Sequence, residues 1–251
     1  MKILGIESSS LVASVAVVTD GLVTAEYTVN LKKTHSQTLL PMIDEVTRIL
    51  ELDLNDVDAI AVSGGPGSYT GLRIGSATAK GLGLALNKPL VHVPTMDAMA
   101  YNLYGTSALI CPVMDARRGQ VYTGLYHYED AFEVVKAQCG MDIHELTGEL
   151  NARGERVIFL GDGVPVSEKV IRETLRVPFS FAPAQCNRQR GASVAALGSV
   201  YFAEGKTVSA MDHAPDYLRK AQAERELEEA KRQGKTEELA AGHSVGTGDA
   251  Q

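Results

Sequence analysis

The stretch KILGIESSSLVASVAVVTDGLVTAEYTV, Lys2–Val29, decides the fold. Lys2–Glu7 reads as a buried strand and Val12–Thr19 as a second, β-branched run. Asp20-Gly21 is the pair that favours a type I′ hairpin turn, so Leu22–Val29 returns as a third strand. Beyond it, His35–Leu52 places Leu39, Ile43, Val46 and Leu50 at helical spacing. Pro41 falls near the first turn of that helix, where a missing amide costs little. A strand at Val57–Val62, a glycine-rich turn, a helix at Leu72–Leu86, a strand at Pro89–Val93 and a helix at Thr95–Tyr104 follow.

This order begins again at ALICPVMDARRGQVYTGLYHYEDAFEVVKAQ, Ala108–Gln138. The strand Ala108–Asp115 ends in a carboxylate, as the first strand ends in Glu7, and Gln120–Tyr128 and Ala131–Gln138 complete a second meander. A helix at Ile143–Leu150, a strand at Arg156–Leu160 and helices at Pro165–Leu175 and Ala192–Glu204 finish the half. The chain therefore reads as two similar α/β lobes, 1–104 and 105–219, with the boundary near Gly105–Ser107. The remainder, 220–251, opens with KAQAERELEEAKRQ, strong helix formers with opposite charges at helical spacing, and ends in a frayed polar run.

Composition narrows the function classes. With 251 residues the chain can bury a full core without disulfide or metal support. Its 24 basic and 31 acidic side chains leave a net charge of −7, which argues against a stand-alone nucleic-acid binder. Cys111, Cys139 and Cys186 are odd in number and contain no CxxC pair, so neither a disulfide framework nor a zinc site is expected. The most apolar long stretch, Ile74–Leu86, is too short to span a membrane and is interrupted by Lys80. The N-terminus lacks a signal-peptide pattern. A cytoplasmic protein with no membrane association is expected.

The strongest local feature is GGPGSYTGLRIG, Gly64–Gly75, between a strand and a helix, where backbone amides and the helix dipole suit an anion. It has no Gly-Lys-Ser/Thr and is not a P-loop, and no serine sits at the centre of a GxSxG. The alternative is that the glycines permit a tight turn and close packing. Gly71, Gly75, Ala79 and Gly83 recur at four-residue steps, a stripe that admits a close neighbour from within the molecule or from a partner. The six histidines include no i, i+4 pair and no HExxH, which argues against a zinc site. Glu7 and Asp115 are the acids placed to hold a metal–nucleotide or orient water between lobes, unless each caps its own loop.

The segments IESSS, VASVAVV, HSQTLLPMI, GGPGSYTGLRIGSATAKGLGLAL and MDARRGQVY resemble the TsaB (YeaZ) family. The match runs in order from Lys2 to Tyr128, with weaker echoes in GDG at Gly161–Gly163 and PDYLR at Pro215–Arg219. The resemblance implies an actin/Hsp70/sugar-kinase type fold, two RNase H-like lobes with mixed sheets. It also implies partnership with TsaD, the related transferase that moves threonylcarbamoyl onto the adenosine beside the anticodon of ANN-reading tRNAs, and with the ATPase TsaE.

In TsaD an HxxxH pair binds a metal after the equivalent helix; here Thr95 and Met99 stand at those positions, and neither replaces an imidazole ligand. No catalytic residue and no metal are therefore expected. The turns Ser8-Ser9-Ser10 and Arg117-Arg118-Gly119 lack the glycine-rich hairpins of sugar kinases, so no cofactor of its own is expected. ATP or ADP is placed instead at the junction of the complex, where Glu7, Ser8, Asp115, Arg117, Arg118, Gly161 and Gly163 would meet a nucleotide or phosphate. The partner interface expected from the resemblance comprises Leu39, Ile43, Val46, Leu50, Gly71, Arg73, Gly75, Ala79 and Gly83, packed on the equivalent helices of TsaD. Without TsaD the same face would form a homodimer, and tRNA would be reached only through the complex. The competing reading is an autonomous ATP-dependent small-molecule phosphotransferase, which requires magnesium-ATP binding by the isolated chain. Proteolysis has no supporting constellation in these residues.

Overall fold

The structure, a computed structural model, describes residues 1–218. The helix and frayed end expected over 220–251 lie outside the described residues. The meander is β1 (Lys2–Glu7), β2 (Val12–Thr19) and β3 (Leu22–Asn30). Asp20 and Gly21 sit at φ 51° and 82°, the left-handed pair that a two-residue hairpin turn requires. Then come α1 (His35–Ile49), β4 (Ala59–Ser63), α2 (Tyr69–Leu86), β5 (Leu90–Val93) and α3 (Thr95–Ala100). The second series is β6 (Thr106–Asp115), β7 (Gln120–Tyr128), β8 (Phe132–Asp142), α4 (Ile143–Arg153), β9 (Val157–Leu160), α5 (Val164–Thr174), β10 (Phe179–Phe181) and α6 (Gly191–Ala203).

The two sheets have one plan. The first runs β3-β2-β1-β4-β5 and the second β10-β9-β6-β7-β8, the same order read from the opposite edge. In each the meander is antiparallel, and the first strand then pairs in parallel with the fourth, as Ile6 with Val62 and Leu109 with Val157. This is the duplicated RNase H-like arrangement of the actin/Hsp70/sugar-kinase class, with mixed sheets as expected.

The sheets divide near Gly105, but the helices do not. Helix α3 packs on β6, β7 and β8, while α6 packs on β1, β2, β4 and β5. Met1–Leu218 consequently forms one compact unit. Helix α6 is apolar on nearly all sides, and its Gly191 carbonyl and Ala195 lie where any side chain on Gly5 of β1 would collide. Small residues on both partners thus let the helix sit close against the sheet. Helix α1 covers the opposite face of the first sheet through Leu39, Met42, Ile43 and Val46.

Several boundaries differ from the pattern-based expectation: α3 ends at Ala100 rather than Tyr104, β8 runs on to Asp142 rather than Gln138, and α4 to Arg153 rather than Leu150. Helix α2 begins three residues early, at Tyr69, because the Ser68 hydroxyl accepts the Gly71 amide at 3.3 Å as an N-cap. Strand β10 was not expected at all; its three residues, Phe179-Ser180-Phe181, pair with Val157–Phe159. Among the described residues, no helix is long and apolar enough to cross a membrane.

Candidate functional site

The glycine-rich motif folds against the β1–β2 turn. Ser68 N–H donates to the Ser9 carbonyl at 2.6 Å, and the Ser8 hydroxyl donates to the Gly71 carbonyl at 2.9 Å. A Cβ added at Gly67 would collide with the Ser9 carbonyl, at Gly71 with the Ser8 carbonyl, and at Gly75 with the Ser8 hydroxyl. The glycines therefore serve close packing of α2 on this turn. The loop amides are committed as well: Gly64 to Val93 O at 2.8 Å, Gly65 to the Thr95 hydroxyl at 3.1 Å, and Gly71 to Ser68. These four amides, those of Gly64, Gly65, Ser68 and Gly71, are thus engaged within the chain.

Between the lobes, Glu7 is almost fully buried and accepts the Ser9 amide at 2.6 Å. Burial pushes its carboxyl above the usual range, opposed by the Ser9 bond and reinforced by the charge of Asp162. Burial likewise raises Asp162, which the Gln189 side chain meets at 3.5 Å. Gly161 and Gly163 pack on the end of β6, Gly161 against the Val113 carbonyl and Met99, Gly163 against the Met114–Asp115 backbone. Thr95 is buried, its hydroxyl 2.8 Å from that of Ser63, and Met99 is buried among apolar neighbours. Among the described residues, no group of three or more His, Cys, Asp or Glu side chains is disposed to hold a metal ion.

Of the residues expected to meet a nucleotide, Glu7, Ser8, Gly161 and Gly163 are buried in the contacts just given. Asp115, Arg117 and Arg118 are exposed. Arg117 and Arg118 adopt φ 66° and 57°, followed by Gly119 at 74°, and the Asp115 carboxylate accepts the Arg117 amide at 2.7 Å. The β6–β7 turn thus holds two arginines outward in a conformation that side chains disfavour.

The residues expected at a partner interface need correction. Leu39, Ile43 and Val46 are core side chains under α1, and Leu50 packs partly buried against the same core. An apolar stripe marks the face a helix buries, and here the first sheet buries it. Gly71 and Gly75 face the Ser8–Ser10 turn, Ala79 is fully buried, and Gly83 abuts Ala210 and Leu90. Glutamate at Gly75 or Ala79 would therefore disrupt the fold itself. Arg73 alone of that set points outward, its guanidinium 4.6 Å above the Tyr69 ring. The outward residues of these helices are Leu40 and Asp44 on α1, and Arg73, Ala77, Gly81 and Leu84 on α2, all exposed, whereas the exposed Ile49 lies toward β3 beside Tyr27 and Val29.

Sequence reasoning missed a strap along α2. Val208 bridges Leu90, and Lys80 donates to the carbonyls of Met211 at 2.9 Å and His213 at 3.0 Å. The Ser76 hydroxyl lies 3.0 Å from His213 Nδ1, Asp216 N–H donates to Gly64 O at 2.6 Å, and Tyr217 rests 4.9 Å from Tyr69. Burial, together with His92 and Lys80, pushes His213 down to about 4, so the ring is neutral at pH 7. The only sequence signal for this strap was the PDYLR echo.

Comparison with known proteins agrees with this architecture. The sequence profile described as TsaD, tRNA N6-adenosine threonylcarbamoyltransferase, matches residues 23–227. The chain is 34% identical over 225 residues to the tRNA threonylcarbamoyladenosine biosynthesis protein TsaB of Bacillus subtilis, covering 89% of this chain and 96% of that one. It is 33% identical over 233 residues to the TsaB of Escherichia coli, covering 87% and 95%. Among solved structures, YeaZ from Pseudomonas aeruginosa superposes with a TM-score of 0.74 at 24% identity, over 86% of this chain and 99% of that one. The chain belongs to the TsaB family.

Proposed function

We propose that this member of the TsaB family is a non-catalytic cytoplasmic subunit of the machinery that makes threonylcarbamoyladenosine in tRNA. It binds and activates a TsaD transferase, and the ATPase TsaE joins the pair. The observation that carries the reading is the outer side of α2, where Leu84 is 54% exposed on the same helical face as the small residues Ala77 and Gly81, with Leu40 55% exposed on α1. Apolar side chains next to small ones suit close helix–helix contact across a pseudo-symmetric interface between related subunits. The catalytic positions support the same reading, because Thr95 and Met99 are spent on internal packing. In this reading ATP or ADP belongs to the junction of the subunits, and the exposed Arg117 and Arg118 are the cations offered to its phosphates.

The test is co-purification and calorimetry with the TsaD of the same organism. Ala77→Glu and Leu40→Asp should abolish binding while the melting curve of the chain is unchanged. Unimpaired binding by both variants would overturn the assignment of this face. Deletion in the host followed by mass spectrometry of tRNA nucleosides tests the pathway, since unchanged threonylcarbamoyladenosine would overturn the role itself. Magnesium-ATP binding by the isolated chain would instead favour a phosphotransferase.

A further inference from the structure

Helices α1 and α2 start at one junction, the Ser8–Ser10 turn, to which His35 ties α1 and the Ser8 hydroxyl ties α2. The Thr34 side chain provides no cap for α1. His35, the first residue of that helix, is instead buried, and its Nε2 lies 2.8 Å from the Ser10 carbonyl, a bond in which the ring N–H donates. Its Nδ1 is buried with no protein partner. On its other side the ring edge occupies space left by Gly71 of α2, 3.3 Å from where a Cβ would stand. The same turn binds α2 through Ser9 to Ser68 and Ser8 to Gly71. Along its length α1 is held by Leu39, Met42, Ile43 and Val46. The driving force of apolar burial is non-directional. Hydrogen bonds with defined geometry supply what burial omits.

We propose that His35 is a positioning residue for the partner face: through the Ser8–Ser10 turn it fixes the start of α1 relative to the start of α2. The proposal rests on the reading that the outer faces of these helices bind TsaD. A face built on Ala77 and Gly81 requires close approach, so a small displacement of α1 opens the contact. His35 itself is buried at the start of α1, against Ser10 and Gly71, and is not among the exposed residues of that face.

The experiment measures affinity of the full chain for TsaD by calorimetry, with thermal melting as the control on folding. His35→Ala should bind about tenfold more weakly. His35→Gln, whose side-chain amide nitrogen can reproduce the Nε2–H bond, should return to within about twofold of the parent. Wild-type affinity in His35→Ala, or equal weakness in the two variants at unchanged melting temperature, overturns the proposal. Should His35→Ala fail to fold, Gly75→Ala decides. Its Cβ meets the Ser8 hydroxyl, and Ser8→Ala removes that obstacle, leaving the Ser8 Cβ 3.3 Å away. Binding weakened by Gly75→Ala should recover in the double variant to the level of Ser8→Ala alone; no recovery overturns the junction's role. Normal binding by Ala77→Glu is a separate failure, that of the partner face rather than of His35.

Discussion

The two lobes share a strand order yet finish their first hairpins in opposite ways. In the first lobe the Ser8–Ser10 turn is buried, and α2 closes on it through Gly67, Gly71 and Gly75. In the second lobe the Asp115–Gly119 turn is largely exposed, and it carries two arginines at positive φ. The glycines of the GDG segment press on the end of β6, Gly163 as far as the Asp115 amide, and the Gly119 carbonyl accepts the Ile143 amide at 3.1 Å. Topology is held in common because each sheet needs the same pairings to bury its faces. The turns are not so constrained, and they have diverged into an internal joint and an external cationic tip.

The sharpest way to break this comparison is a methyl group on the clasped side. Gly71→Ala sets a Cβ against the backbone carbonyl of Ser8, which cannot swing away as a side chain can. Overpacking of this kind costs up to about 3 kcal/mol. At this chain length that should lower the melting temperature by roughly 6–12 °C. Gly148, in the exposed face of α4 of the second lobe, has nothing within 4 Å of the corresponding position. Gly148→Ala should therefore raise stability by about 0.5–1 kcal/mol through helix propensity. Similar melting shifts for the two variants would erase the distinction between a clasped and an open lobe.

A smaller effect is expected where the first strands end. Burial raises the Glu7 pKa in the folded chain above its usual value of 4.5, so the folded state holds this proton to higher pH than the unfolded state does. The stability tied to that proton is complete below pH 4.5 and is lost as pH rises through the folded value. Glu7→Gln keeps an acceptor for the Ser9 amide but removes the ionisation. In urea denaturation the variant should gain on the parent between pH 4 and pH 7, and the gain should vanish at the acid end. Asp115→Asn, at the exposed counterpart, should move stability by under about 0.5 kcal/mol at either pH. A pH-independent Glu7→Gln difference would show that burial does not govern this carboxyl.

How much of this was legible in the sequence follows from which forces act locally. Alternation, β-branched runs and Asp20-Gly21 are local, and they revealed both meanders and the duplication. The stripe Leu39, Ile43 and Val46 identified a face to be buried, but periodicity cannot name what buries it; the sheet does, and the partner reading of those residues was misplaced. The exposed Leu40 and Leu84 have no period to mark them. The seating of α6, Gly191–Ala203, on β1, Lys2–Glu7, joins segments from opposite ends of the described chain, and no window shows it. The Ser8–Gly71 contact is of the same kind: the glycines were visible, and the carbonyl they make room for was not.

A further small effect sharpens the comparison from the open side. Left-handed backbone costs a residue with a side chain about 1–2 kcal/mol, and Arg117 and Arg118 both adopt it. Glycine relieves that strain but loses about 0.5–1 kcal/mol in unfolded-state entropy, so each of Arg117→Gly and Arg118→Gly should raise stability by only about 0.5 kcal/mol. The turn itself should persist, because Gln120 N–H donates to the Arg117 carbonyl at 3.1 Å and Ala116 N–H to the Gln120 carbonyl at 3.0 Å, bonds that do not involve the arginine side chains. The isolated chain should thus become slightly more stable by chemical denaturation, while threonylcarbamoyl transfer by the reconstituted complex falls if these cations serve a phosphate at the subunit junction. Gained stability with full activity would reduce the strained tip to a tolerated accident of the hairpin. Gained stability with lost activity would show that the second lobe holds its turn in a costly conformation for contact outside the chain, as the first holds its turn for contact within it.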